Sequence, residues 1–156
     1  MVIAVVEQQG NFFRWNLSAN VGPRQPNKPD DVELVRFGYF CMKQNVRIPP
    51  KPELRPFLEK VRPIGPFDQD LADMIAAHER TRGGSQDGII SVAKISFSSN
   101  NGEHYDGVHP WIIVVLNNNM LTVVGDIYPR IDMHKQAGPE ISKTVKNILT
   151  NDSWFK

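Results

Sequence analysis

The chain has 156 residues, 40% of them apolar, and a formal net charge of +1 from 18 basic and 17 acidic side chains. This composition supports a hydrophobic core in one compact domain, residues 1–156, and provides no global charge that would recruit nucleic acid or an anionic membrane. The lone cysteine, Cys41, excludes an internal disulfide and a thiolate pair for structural zinc. The apolar run at residues 2–6 is closed by Glu7 with no basic segment ahead of it, so it reads as a buried strand rather than a secretory leader. "NFFRWNL", residues 11–17, is its expected hairpin partner across residues 8–11. No stretch approaches the roughly 20 apolar residues that cross a bilayer, so no membrane insertion is expected. The chain is expected to start in the cytoplasm, leaving delivery to the periplasm or cell wall to a route without a signal peptide.

Residues 19–45, "ANVGPRQPNKPDDVELVRFGYFCMKQN", change character. Gly22, Pro23, Pro26 and Pro29 exclude a helix before Asn27. Asn27 then stands as its cap, Pro29 is tolerated in the first turn, and Asp30 and Asp31 suit the positive end of the dipole. Leu34, Phe37, Gly38 and Cys41 recur at helical spacing and form a core face. Buried there, the Cys41 thiol is shielded and unsuited to act as a nucleophile.

Prolines 49, 50, 52 and 63 break the next segment, yet Leu54, Phe57, Leu58 and Val61 keep helical spacing between the breaks and predict a short second helix. In "IGPFDQDLADMIAAHERTRGGSQDGIIS", residues 64–91, Asp68 caps a third helix. Leu71, Met74, Ile75 and His78 share one face of it, and Gln69, Asp73 and Arg80 point outward. Gly83 and Gly84 end it, and Asp87-Gly88 make a turn. On that apolar face, His78 reads as a core histidine bonded to a neighbour rather than as a base.

The order "N-x-P-x-D-V", a helix, "GPFD-x-x-L-A-x-x-I" and "DG-x-I-S" resembles the peptidoglycan-binding type 1 module, a three-helix domain of bacterial and phage cell-wall hydrolases. The resemblance spans about residues 20–92 and rests on Asn27, Pro29, Asp31 and Val32, then on Gly65, Phe67, Asp68, Leu71, Ala72, Ile75, Asp87 and Gly88. It implies a helical scaffold and a binding face that would include Phe67, Asp68, His78, Glu79 and Asp87. Where the family carries Phe-Gln at the end of the third helix this chain has His78-Glu79, and where the family has Val-Gln in the first helix it has Val35-Arg36. The insert at 46–63 is longer than the family's usual connection.

Beyond residue 92, "WIIVVLNNNMLTVVGD", residues 111–126, reads as a β-hairpin with its turn at residues 117–119, where asparagine tolerates left-handed geometry. The N-terminal strands are expected to pack with it. Gly138 and Pro139 open a terminal helix with an apolar stripe of Ile141, Val145, Ile148 and Leu149, while His134 has no nearby partner in sequence. The expected fold is α+β: a three-helix peptidoglycan-binding-like module at 20–92, packed with a small antiparallel sheet, and an elaboration at 93–156 made of a hairpin and a C-terminal helix.

Candidate chemistry concentrates in "NNGEHYDGVHPW", residues 100–111, read as a glycine-rich loop. His104, Asp106 and His109 offer two imidazoles and a carboxylate to a divalent metal, and Glu103 offers a base toward metal-bound water. The spacing is not the helical HExxH arrangement, and a solvated loop explains the same residues. No G-x-S-x-G elbow, P-loop or dinucleotide fingerprint occurs. The leading expectation is a non-catalytic binding protein without cofactor, meeting a protein partner in a secretion, toxin or immunity setting, or meeting peptidoglycan. The alternative is a small cell-wall hydrolase with its active loop at 100–111.

Overall fold

The computed structural model describes residues 1–7, 12–98, 102–106 and 111–151. Strands β1 (Ile3–Glu7) and β2 (Phe12–Asn16) pair antiparallel, with Ile3 opposite Asn16 and Val5 opposite Arg14. The pairing agrees with the hairpin expected from the apolar run at 2–6 and its partner at 11–17, and the connection at 8–11 lies outside the described residues. Strands β3 (Ile95–Ser98) and β4 (Gly102–Tyr105) form a second antiparallel pair, joined to the first where Glu7 lies opposite Gly102. The order across the sheet is β2-β1-β4-β3. The sheet of the N-terminal strands is therefore extended by β4 and β3, and the segment expected to be a loop from 100 onward is in part a strand.

Helix α1 (Pro29–Gln44) runs through the centre of the molecule. Val32, Leu34, Val35, Phe37, Tyr39 and Cys41 are all buried along it, as are Asp31 and Arg36, and a helix enclosed on every side is one that the rest of the fold packs around. Its amino end departs from expectation. Lys28, not Asn27, occupies the cap position, and its side chain makes no capping bond. Asn27 adopts a positive φ of 47° and turns its amide back to Gly22, accepting from the Gly22 N–H and donating to the Gly22 carbonyl, both at 2.8 Å. A left-handed backbone placed just before the helix takes the asparagine out of capping range and uses it to close the preceding loop.

The segment after α1 carries a 3-10 turn (Pro52–Leu54) that leads into a single helical turn, α2 (Arg55–Leu58). Helix α3 (Gln69–Thr81) begins where expected, with the Asp68 side chain accepting from the Leu71 N–H at 2.9 Å. Leu71, Met74, Ile75 and His78 are buried. Two backbone bonds between Val21 and Ile90, at 3.0 and 2.8 Å, tie the loop before α1 to the turn after α3. There is no room for a side chain on Gly22, since a Cβ would lie 2.7 Å from the Gly88 carbonyl oxygen.

The largest correction concerns residues 111–126, which form helix α4 (Ile112–Val123) and not a hairpin. The β-branched run Ile112 to Val115 favours strand locally, but that preference is under about 1 kcal/mol per residue and tertiary burial outweighs it. The asparagines expected in a turn are helix residues, of which Asn117 and Asn119 are buried and bonded through both side-chain atoms while Asn118 is exposed. The Asn117 amide donates to the Ile113 carbonyl one turn back, at 2.7 Å, and to the Trp15 carbonyl at 2.8 Å. Its oxygen accepts from the Trp15 N–H at 2.8 Å and from the Tyr128 hydroxyl at 2.7 Å. One side chain thus takes the place of a neighbouring strand along the outer edge of β2, which α4 covers. A 3-10 turn (Ile131–Met133) precedes α5 (Pro139–Asn151), whose Ile141, Val145 and Leu149 are buried and whose Ile148 is partly so, as the apolar stripe requires. Antiparallel strand pairs separated by a run of helices meet in one sheet, with no parallel crossover among the described residues, which makes the architecture α+β.

Candidate functional site

The five residues expected on a binding face divide into four that build the scaffold and one at its rim. Phe67 packs partly buried against the core. Asp68 caps α3 and accepts an ion pair from the Arg36 guanidinium at 2.9 Å and another from Arg62 at 3.3 Å. Burial by itself pushes the Asp68 carboxyl up, but the Leu71 N–H and the two guanidiniums hold it below the ordinary carboxylate value. Arg36 is fully enclosed. It donates from Nε to the Gly65 carbonyl at 3.0 Å, from Nη1 to the Arg62 carbonyl at 2.8 Å, and from Nη2 to the Pro66 carbonyl. A buried cation is tolerable only with such a full set of acceptors, and here the set clamps the loop at 62–68 that leads into α3.

His78 and Glu79 end the buried face of α3 and are 4% and 7% exposed. The His78 Nδ1 meets the Tyr39 hydroxyl at 3.1 Å, the neighbour bond expected of a core histidine. Burial, with the Arg82 and Lys51 charges, brings the imidazole down to about 4, so it is neutral at physiological pH. Glu79 receives the Gly88 N–H at 2.9 Å and faces the Asp87 carboxyl; burial, with that like charge, pushes it up to about 7. Asp87 is exposed, accepting from the Ile89 N–H at 2.9 Å and the Ser85 hydroxyl at 3.3 Å. Cys41 is buried and its thiol is pushed up to about 12, so it is not a nucleophile. His134 sits against the Phe37 and Phe40 rings, with centroids at 5.3 and 5.5 Å, and its Nδ1 accepts from the Gln136 N–H at 3.1 Å.

Of the alternative metal set, His109 and the side chain of His104 lie outside the described residues. Asp106 accepts from the Ser96 hydroxyl at 2.7 Å, and its carbonyl accepts from the Trp111 indole. Among the described residues, no three His, Cys, Asp or Glu side chains are gathered to hold a metal.

An open groove of about 460 Å³ lies elsewhere, between the carboxyl end of α1, the proline-rich strap at 46–50 and α2. Lys43 and Asn45 form one wall, Val46, Pro49 and Pro50 a second, and Arg55, Leu58 and Glu59 a third. Val46 is 87% exposed and Ile48 70%, the two highest values among the large apolar residues described. Single exposed apolar residues are common on any surface, but here the strap is held. Buried Asn45 accepts from both the Arg47 and the Ile48 N–H, at 3.1 and 2.9 Å, and donates to the Asn119 side chain at 2.8 Å. Pro49, Pro50 and Pro52 restrict φ beyond it. The Lys51 ammonium donates to the Thr81 carbonyl at 3.0 Å, bringing the strap beside the exposed turn that follows α3.

The sequence pointed to the 46–63 insert by its length and prolines. It did not identify Asn45 as the anchor or Val46 and Ile48 as the displayed side chains, because an Asn before a Val-x-Ile run carries no periodic signal. Comparison of the chain with family models, with curated proteins and with solved structures gives no match.

Proposed function

We propose that the chain is a non-catalytic binding protein on a peptidoglycan-binding-like scaffold, working through a protein partner that meets the 46–63 insert and the adjoining 83–92 turn. The observation that carries this reading is a division of labour. Asp68, His78 and Glu79, which the resemblance would assign to a wall-binding face, spend their polar atoms on Leu71, Arg36, Tyr39 and Gly88 inside the molecule. Val46 and Ile48 face outward on a segment that its own hydrogen bonds hold in place. Side chains already satisfied within the scaffold have little left for a sugar ligand, whereas apolar groups displayed without further ordering favour association.

The test is affinity capture from the source organism with the wild-type chain and with Val46→Ser/Ile48→Ser, beside sedimentation with insoluble peptidoglycan. A specific protein captured by the wild type and lost with the strap variant is the expected result, with weak or undetectable sedimentation at neutral pH. Saturable wall binding that survives the strap variant and disappears on changing Phe67 or Asp87 would return the function to the wall itself.

A further inference from the structure

We infer that, given the partner-binding role proposed for the strap, its occupant is an extended acidic peptide segment of the partner, with an apolar side chain set between carboxylates. Charge is the first reason. Residues 43–62 carry Lys43, Arg47, Lys51, Arg55, Lys60 and Arg62 against only Glu53 and Glu59, a surplus of four in a chain whose net charge is +1. The remainder of the molecule is therefore net acidic, and the net basic surplus belongs to this segment, of which Lys43 and Arg55 line the groove. All six basic side chains are exposed. Lys43 is paired with Glu59 at 2.8 Å, and Arg62 with Asp68 at 3.3 Å. Arg47, Arg55 and Lys60 have no carboxylate partner among the described residues, so an incoming carboxylate meets cations without first breaking an ion pair.

The second reason is the placement of the apolar groups among those cations. Val46 and Ile48 flank Arg47 on the strap, and Val46 lines the groove together with Lys43 and Arg55. An occupant matching this surface alternates acidic and apolar side chains. The strap also rules out pairing by a strand ladder. The Arg47 and Ile48 N–H groups are already bonded to Asn45, and Pro49 and Pro50 have no N–H to give. Recognition thus rests on side chains. A nucleic acid fits less well, because single strands are held by exposed aromatic faces, and the only aromatic of this segment, Phe57, is partly buried against the core.

A random-peptide display library panned on the intact chain, followed by calorimetric titration of the enriched synthetic peptides, tests this. The expected peptides are net negative with an apolar residue between carboxylates. Arg47→Glu/Arg55→Glu should weaken them about tenfold or more, as should Val46→Ser/Ile48→Ser. Enriched peptides that are neutral or basic, lose affinity with the Val46/Ile48 variant and ignore the arginine reversals would overturn the acidic occupant while leaving the strap as the partner site. Peptides indifferent to both variants would remove the strap reading as well. A single-stranded oligonucleotide of matched charge that binds the chain as tightly as the best peptide, and is lost with Arg47→Glu/Arg55→Glu, would reassign the surface to nucleic acid.

Discussion

Two adjacent side chains on α3 are driven by burial in opposite chemical directions: His78 is held neutral, and Glu79 is held toward its protonated form. For a carboxyl, a folded pKa above the unfolded one means that the folded state binds the proton more tightly. Its contribution to stability is then full below the unfolded value of about 4.5 and is lost as pH rises through about 7. Asp31 and Glu33, also raised by burial, act in the same sense, and Asp68, lowered overall, acts in the opposite one. Glu79→Gln isolates the effect, since the amide keeps an acceptor for the Gly88 N–H and has no proton to lose. Its stability relative to wild type should increase between pH 5 and pH 8 by on the order of 2 kcal/mol. Thermal unfolding of the two proteins across that range checks this; parallel curves would show that Glu79 titrates normally.

At the scale of elements, the crossing of α1 over α4 depends on one missing side chain. A Cβ on Gly38 would stand 2.7 Å from the Leu116 Cβ, and Leu116 is fully buried. Overpacking of this kind costs roughly 1–3 kcal/mol, which exceeds the roughly 1 kcal/mol that alanine gains over glycine within a helix. Gly38→Ala should therefore lower the unfolding midpoint by about 2–4 °C for a net loss of about 1 kcal/mol in a chain of this size. A raised midpoint would mean that the two helices part easily. The spacing of Gly38 puts it on a core face, but its partner Leu116 lies in a segment whose local pattern predicts a hairpin. Asn117 was the misleading residue. Its turn preference is local, and the partners that decide its role, Trp15 and Tyr128, lie 102 and 11 residues away.

At the scale of the whole molecule, the acidic first turn of α1 does more than complement the helix dipole. Asp30 accepts from the Val2 N–H at 2.9 Å and the Thr144 hydroxyl at 3.1 Å. Asp31 accepts from Ser18 and Ala19. Glu33 reaches the Ile141 N–H at 2.8 Å and so caps α5 from a distant helix. A Cβ on Gly138 would fall on the Glu33 carboxylate, so the glycine leaves space for this cap. Glu33→Leu removes the acceptor and should cost about 1–2 kcal/mol, with faster hydrogen exchange at the first amides of α5 and little change in α3. Glu33→Gln, which keeps an acceptor, should leave that exchange near wild type. If both variants left α5 protection unchanged, the cap would carry no energy.

Elements with local signals are legible in the chain: the paired strands β1 and β2, the core face of α1, the Asp68 cap and apolar stripe of α3, and the Gly138-Pro139 start of α5. Periodicity and capping act over a few residues, so a single chain displays them directly. That residues 112–123 form a helix, that 102–105 join the sheet, that Asn27 closes a loop and that Asn45 holds the strap carrying Val46 and Ile48 depends on contacts made in the folded molecule. For α4, β4 and the Asn45 anchor, burial or hydrogen bonding to residues distant in sequence outweighs a weak local preference, whereas Asn27 is turned by a left-handed backbone toward Gly22, five residues back. The same reason separates the two groups of candidate residues: His78 could be expected in the core from its place on a stripe, whereas the strap's display depends on an anchor to Asn119, 74 residues away.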